Sequence, residues 1–376
     1  MTAPRVSRSA PRTKGYRMPA EWEPHAGTWI AWPHAKDDFP GRFEAIPFAF
    51  GEIVRHLAPH EPVRIVVRSA SQEERARSLL RGDGVDLGRV RFFRWPTDRS
   101  WVRDSGPIFL RREVPSGESP PLAITDWRFN AWAKYPNWRR DDRLPGRVAR
   151  ELRVPIWRPR LRGERVVLEG GAIDVNGSGL LLATEECLLG KEQERNPGVS
   201  REELEGVFSD YLAVDRVIWL AKGIVGDDTH GHVDDVARFV NDRTVVAARE
   251  PNASDPNHAI LEENWGRLRA AAGIDGRPLD LVELPMPDPL AYSGQRVPAS
   301  YLNFYIANGT VLVPTFNDPH DRVALGRLAE VFPGRTVTGV YCGEVIWGLG
   351  TIHCLTQQEP AADAAHPASE ASATTN

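Results

Sequence analysis

Cysteine is scarce in this chain: Cys187, Cys342 and Cys354 are the only three in 376 residues. Three thiols make no disulfide framework, and the odd count leaves at least one free in a monomer, so a reducing, cytoplasmic setting is expected. No C-x-x-C pair occurs, which removes the usual short spacing of a zinc site and leaves His230 with His232 and Asp234 as the only local cluster. No apolar run approaches about eighteen residues, so no membrane-spanning helix is expected. A strong charge of either sign is also lacking: 47 basic against 51 acidic residues leave −4, without the basic footprint of a nucleic-acid binder. The opening segment MTAPRVSRSAPRTKG has charge but no apolar stretch, unlike a secretory signal. What remains is an ordinary globular composition, 41% hydrophobic and 26% charged, with 12 tryptophans as its unusual feature.

Residues 1–15 are rich in Arg, Ser and Pro, and residues 359–376 form a small-residue polar stretch, so both are expected to be disordered tails. Between them no linker interrupts residues 16–358, which read as one unit. Three apolar segments are split by turn dipeptides, Asn176-Gly177, Asn241-Asp242 and Asn308-Gly309, a strong hairpin signal; a looser fourth turn falls near Ser116-Gly117. The turns recur at intervals of roughly 60–70 residues, the mark of a repeat. Within each interval a helical pattern precedes a short β-rich strand. In SREELEGVFSDYL, Ser200 and Glu203 form a capping-box signature, and RVIWL follows from Arg216. The fold class expected is therefore α/β, a ring of about five strand–hairpin–helix units sharing a core. The fifth unit would be closed by a strand near Thr28–Ile30 pairing with one near Thr351–His353.

The polar motifs fall at matching places, just after the short strand and just before the hairpin. They are Asp104 in WVRDSGP, Glu169 in LEGGAI, His232 and Asp234 in GHVDDV, and Cys354 in GTIHCLTQQ. In a ring, equivalent positions converge near the axis, which would gather these side chains around one cavity. His232 and Asp234, two apart, point the same way on an extended backbone. Taken singly each motif has a plainer reading: a surface histidine, a turn-capping aspartate, a carboxylate closing a hairpin, a buried thiol. Cys187 and Cys342, in apolar surroundings, are read as small buried hydrophobes.

A cysteine protease has no use for the extra carboxylates, and negative charge beside a thiol suppresses the thiolate. That cost disappears when the substrate is itself a cation. A guanidinium is planar and offers N–H donors that carboxylates can meet two at a time. Two aspartates gripping it would fix its central carbon opposite the sulfur, so the pattern points to attack on a guanidino carbon.

At these residues the chain resembles the agmatine deiminases and the related bacterial-type peptidylarginine deiminases of the guanidino-group-modifying pentein superfamily. MPAEWEPHAGTWIAWP, WVRDSGP, DWRFNAW, LEGG, TEECLL, GHVDDV, NDPHDRVAL and IHCLTQQEP carry the likeness, from about Met18 to Pro360. The resemblance implies a fivefold pseudosymmetric α/β propeller and a metal-free, cofactor-free, two-step hydrolysis. It implies Cys354 as nucleophile, His232 as acid and base, Glu169 orienting His232, and Asp104 with Asp234 holding the guanidinium. The partner implied is a small cationic guanidino compound, agmatine first and arginine or peptidylarginine as the alternative. A non-catalytic guanidinium-binding module is a further reading, and a homo-oligomer is left open.

Two stretches depart from the agmatine-specific pattern. Gly348-Leu349-Gly350-Thr351 stands where three glycines are common, and Arg128-Phe129-Asn130-Ala131-Trp132-Ala133-Lys134 where G-F-N-A-W-G-G is common. Arg128, with Arg139 and Arg140, either lines the pocket and receives a carboxylate or lies on the surface. Gly350, Trp101 and Trp132 are expected at the substrate. Of the six tryptophans beside motifs (Trp29, Trp32, Trp101, Trp127, Trp132, Trp347), about two are expected in the cavity, where cation–π attraction adds about 0.5–2 kcal/mol.

Overall fold

The turn dipeptides and helix caps build the same unit repeatedly. The structure, a computed structural model, describes residues 9–112 and 120–362. Four three-stranded sheets share one order, a hairpin whose second strand also pairs in parallel with a third. The first joins Ile108–Arg111, Leu122–Thr125 and Ile156–Trp157. The second joins Asp174–Val175, Leu180–Thr184 and Arg216–Leu220. The third joins Ala237–Phe239, Thr244–Arg249 and Asp280–Pro285. The fourth joins Tyr305–Ile306, Thr310–Thr315 and Thr336–Tyr341. A fifth sheet keeps the order across the chain ends: Thr356–Pro360 runs antiparallel to His25–Ala31, which pairs in parallel with Val63–Val67, and Val90–Arg94 extends it.

A parallel pair needs a crossover, and helices supply it. α1 (Ile46–Leu57) and α2 (Ala70–Gly82) link the strands of the fifth sheet. A single turn, α3 (Val102–Ser105), follows, and then α4 (Leu144–Leu152) and the short α5 (Glu185–Leu189). α6 (Arg201–Leu212), α7 (Pro256–Ala270) and α8 (Asp321–Val331) complete the set. α6 starts as expected: Ser200 accepts from the Glu203 amide while Glu203 bonds back to the Ser200 amide. Such a cap contributes about 1 kcal/mol.

Three expectations shift. The N-terminal strand pairs not with Thr351–His353, which lie in a turn, but with Thr356–Pro360; Ile30 sits opposite Thr356 and Trp29 opposite Gln357. The tail expected from residue 359 therefore begins too early. Glu359 is buried, accepting from the Trp29 indole at 2.8 Å and from Arg64 at 2.7 Å. Composition misled there because the strand is held by a partner more than 300 residues away, not by its own propensity. At the other end, Pro11–Lys14 form a 3₁₀ turn, and Arg12 pairs with Asp215 and donates to Ser209 at 2.6 Å. The turn near Ser116-Gly117 lies outside the described residues, but the strands flanking it pair as a hairpin.

Glu359→Ala leaves the buried Trp29 N–H without an acceptor, so a loss of about 1–3 kcal/mol is expected. Chemical denaturation of the variant beside wild type measures it; an unchanged midpoint would place residue 359 outside the fold.

Candidate active site

Each sheet contributes to one cluster through the residues just ahead of its hairpin. Asp104 is carried by α3, and Glu169 immediately precedes the 3₁₀ turn Gly170–Ala172 ahead of Asp174. His232 precedes a 3₁₀ turn, Val233–Asp235, that carries Asp234. The pair is therefore not on a continuous extended strand, as its spacing had suggested; the strand starts only at Ala237. Cys354 lies immediately before Thr356–Pro360. The unit that sequence reading left without a polar residue supplies Asn303, just ahead of Tyr305. Its Nδ2 donates to Asp235 at 3.1 Å and lies 3.2 Å from the Cys354 sulfur, while its Oδ1 accepts from Thr351 Oγ1 at 2.8 Å.

Asp104, Glu169, His232, Asp234 and Cys354 are all buried, none more than 6% exposed. His232 Nδ1 is 3.8 Å from Asp104 and its Nε2 is 3.9 Å from Glu169. The Cys354 sulfur is 3.8 Å from Asp234 Oδ2. Gly171 sits at the meeting point. A Cβ there would fall 2.6 Å from His232 Nδ1, 2.9 Å from Asp104 and 3.0 Å from Asp234. Among the described residues, Glu169 Oε2, Asp234 Oδ1 and both His232 ring nitrogens are buried without a hydrogen-bond partner. Buried polar groups are seldom left so, and their convergence marks a place prepared for a polar ligand.

The charges explain the proton affinities. Burial pushes the Cys354 thiol well up, and Asp234, Asp235 and Asp104 push it further. Burial and the neighbouring carboxylates outweigh the opposing pull of His232 and raise Asp104 to about 6. For Glu169 burial acts upward, but Arg195 at 3.1 Å and His232 win and bring it to about 2. Burial lowers His232, yet Asp104, Cys187 and Glu169 together hold it well above an ordinary imidazole. Asp234 is held low against burial chiefly by His353.

Several members of this centre carried no sequence signal. His353 bridges Asp234 at 2.6 Å and Glu21 at 2.9 Å. Glu21 also takes Arg103 at 3.1 Å and Arg238 at 3.0 Å. Asp227 accepts from the His232 amide at 2.9 Å and fixes its loop. Cys187, read as a plain hydrophobe, lies with Glu169 and His232 in a trio whose donor atoms fall within 4.8 Å of one another. Arg195, on the other oxygen of Glu169, already places a cation beside that trio.

The sulfur opens into a cavity of about 560 Å³ lined by Asp104, Trp101, Trp132, Trp347, Gly350 and Cys354, among others. Three of the six motif-flanking tryptophans thus reach it. Trp132 donates to Asp104 at 2.9 Å, and Gly350 leaves room against Trp101 and the sulfur. Asp37, Asp38 and Asp228 line the same cavity with a single arginine, Arg99, which is paired with Asp38 and bonded to Asn137 at 3.0 Å. Arg128 is not in its wall; its guanidinium lies over the Trp138 ring, 5.5 Å from the centroid, and it is withdrawn as a substrate residue. Arg139 also lies on Trp138, at 5.3 Å, and Arg140 lines a different cavity. The guanidinium groups of Arg128 and Arg139 thus lie on aromatic surface outside the cavity.

The fold and the cluster define an α/β protein with a buried thiol–imidazole–carboxylate centre. Residues 17–360 match the family model described as Porphyromonas-type peptidyl-arginine deiminase, and the chain belongs to that family. It is 39% identical to the agmatine deiminase of Stutzerimonas stutzeri (strain A1501), over 94% of this chain and 98% of that one. It is 38% identical to the agmatine deiminase of Pseudomonas aeruginosa (strain UCBPP-PA14), over 94% and 98% respectively. A solved agmatine deiminase of Enterococcus faecalis matches with a TM-score of 0.87 at 32% identity, covering 96% of this chain and 100% of that one.

Gly171→Ala should drive a methyl into the space between His232, Asp104 and Asp234. Loss of at least a hundredfold in kcat is expected, with the folded structure retained by circular dichroism. Wild-type kcat in that variant would show that the three groups need not converge.

Proposed function

We propose that the chain hydrolyses agmatine to N-carbamoylputrescine and ammonia through a covalent intermediate on Cys354. The observation that carries this reading is the acidic lining of the cavity, Asp104, Asp38, Asp37 and Asp228 with Arg99 as its one basic residue; Arg99 is engaged by Asp38, and Asp228 pairs with Lys134 from outside the wall. Agmatine is positive at both ends. A free or peptide-borne arginine would bring a carboxylate or a neutral backbone to a wall rich in acids. Peptidylarginine remains the alternative, because Arg99 lines the cavity and could receive a carboxylate on leaving Asp38.

Asp104 and Asp234 take the guanidinium and hold its carbon against the sulfur. The arriving cation offsets the negative field that keeps Cys354 protonated, so as substrate binds the thiol gives its proton to water in the cavity and becomes the thiolate. The thiolate adds to the guanidino carbon. His232, held protonated by its carboxylate neighbours, gives a proton to one terminal nitrogen, which leaves as ammonia. The resulting thiouronium keeps the positive charge. Neutral His232 then takes a proton from water, the hydroxide adds to the same carbon, and collapse expels the sulfur, which takes up the hydroxyl proton to restore the Cys354 thiol and free the neutral ureido product. Acid–base help of this kind contributes about 10²–10⁴-fold. Glu169, ionised beside Arg195, steadies the imidazolium.

We also infer that the five sheets, alike in strand order and each ending in a wall residue, close around one axis as a fivefold propeller. Three free buried thiols fit the cytoplasmic setting expected above.

Ammonia release from agmatine, arginine and a blocked arginyl peptide, assayed side by side with chelator present, tests the reading. Agmatine should lead in kcat/KM by at least tenfold, and Cys354→Ala should abolish turnover. A lead by the peptide would move the assignment to the alternative, and turnover without the thiol would end the covalent route.

The charge argument has its own test. Asp234→Asn removes a negative neighbour of the thiol, so Cys354 in the free enzyme should react faster with iodoacetamide at pH 8 while agmatine turnover falls. If alkylation and turnover fall together, the carboxylates do not restrain the thiolate.

A further inference from the structure

A second cavity, of about 870 Å³, shares no lining residue with the first. Six cations face it, Lys36, Arg68, Arg75, Arg140, Arg143 and Arg147, and no Asp or Glu is in its wall. In a chain of net charge −4 such a gathering is unexpected. Among the described residues only Arg140 has a carboxylate partner, Asp98 at 3.8 Å; the other five form no salt bridge. The contrast with nearby arginines is direct, since Arg77 and Arg94 both pair with Glu73.

The positive field acts on the groups inside it. Burial lowers Arg147, and Arg143 and Arg150 lower it further. His34, in the same wall, is brought down to about 4 by burial and then by Arg68. Arg68 points its guanidinium at the His34 ring, 3.5 Å away, for want of an acid. Three helices also start in this wall: α1 at Pro47 and Phe48, α2 at Ser69 and Gln72, and α4 at Arg143. Helix starts carry partial positive charge and add to the cations. The remaining wall is apolar: Trp32, Phe43 and Phe48 belong to it, and Phe48 is 64% exposed, the most exposed of the large apolar side chains described.

Uncompensated like charges repel, and a surface with no partner for them would gain by scattering them. Gathered in one concave place beside aromatic rings, they match a ligand with several negative charges on an apolar, flat body. We propose that this cavity binds an organic polyphosphate of the nucleoside di- or triphosphate kind, its phosphates among the arginines and its base against Phe43 and Phe48. The site is separate from the catalytic one, although the chain joins them closely: Lys36 faces the second cavity while Asp37 and Asp38 face the first, and Pro96 and Arg99 divide in the same way.

Calorimetric titration of the full-length protein with ATP, tripolyphosphate and adenosine tests this. ATP should bind saturably at one site per chain, tripolyphosphate at least fivefold more weakly, and adenosine alone without measurable heat. Arg75→Glu with Arg143→Glu, both exposed and outside the catalytic cavity, should weaken ATP at least tenfold while kcat/KM for agmatine in its absence is unchanged. Phe48→Ala should weaken ATP but not tripolyphosphate. The proposal is overturned if ATP gives no saturable heat at millimolar concentration, if the charge-reversed variant binds it as well as wild type, or if tripolyphosphate binds as tightly as ATP.

Discussion

The catalytic centre is organised by a shortage of positive charge. Asp104, Asp234 and Asp235 surround one thiol in a buried space; His232 is the cation shared between Asp104 and Glu169, and the other basic groups nearby are engaged, Arg195 by Glu169, His353 by Asp234 and Glu21, Arg238 by Asp174 and Glu21. In low dielectric such an imbalance is expensive, and the protein keeps it only by leaving protons on some groups. Asp104 and the Cys354 thiol are pushed towards their neutral forms, while Glu169 and Asp234, which have cationic partners, stay ionised. Glu169, held by Arg195 on one oxygen, turns the other towards His232 and orients the imidazole, while Asp104 and Asp234 are left to meet the substrate cation.

The repeat delivers this arrangement at little structural cost. Each sheet presents the residues ahead of its hairpin to the same place, and these are loop, 3₁₀ or single-turn helix positions whose backbone groups are satisfied partly by neighbouring units. The Cys354 turn is an example: Asn303 Oδ1 accepts from the His353 amide at 3.1 Å and from Thr351, while the Cys354 carbonyl accepts from the Arg103 amide at 3.2 Å. Side chains held this way can be exchanged without altering strand pairing. Strong polar demands are thereby separated from the apolar core that stabilises the sheets.

What could be read from sequence was whatever is local. Asn-Gly turns, the Ser200–Glu203 cap and the helix-then-strand order depend on a few adjacent residues, and they gave the units and hence the convergence of Asp104, Glu169, His232, Asp234 and Cys354. Asn303 was within reach: it stands where the repeat puts a wall residue, but an asparagine offers no charge to notice. Arg195 and Glu21 were out of reach, because they meet the centre only through the tertiary fold; Asp227, five residues before His232 in the same loop, was local but reads as an ordinary turn acid. Arg128, noticed because it departs from a family pattern and open between pocket and surface, lies outside the cavity wall, because Arg128 and Trp132 sit on a loop that turns sharply between them. The close of the last sheet was missed for a related reason, since Gln357 to Pro360 have no strand propensity of their own and are ordered by the opposite chain end.

That sharp turn also bears on how firmly the cavity is held. Ala131, Trp132 and Ala133 have φ of 52°, 58° and 55°, three consecutive non-glycine residues in the left-handed region, and Leu349 opposite has φ of 68°. Each costs roughly 1–2 kcal/mol relative to an ordinary conformation. The compensation is visible: Asn130 Oδ1 accepts from the Ala133 amide at 2.9 Å, Phe129 and Tyr135 pack edge-on against Trp132, and Trp132 reaches Asp104. Glycines at 133 and 349 would remove the strain but widen the range of loop conformations, and the indole would then hold Asp104 less firmly. Strain kept in this loop therefore serves the same end as the charge imbalance, an acid fixed in position before its cation arrives.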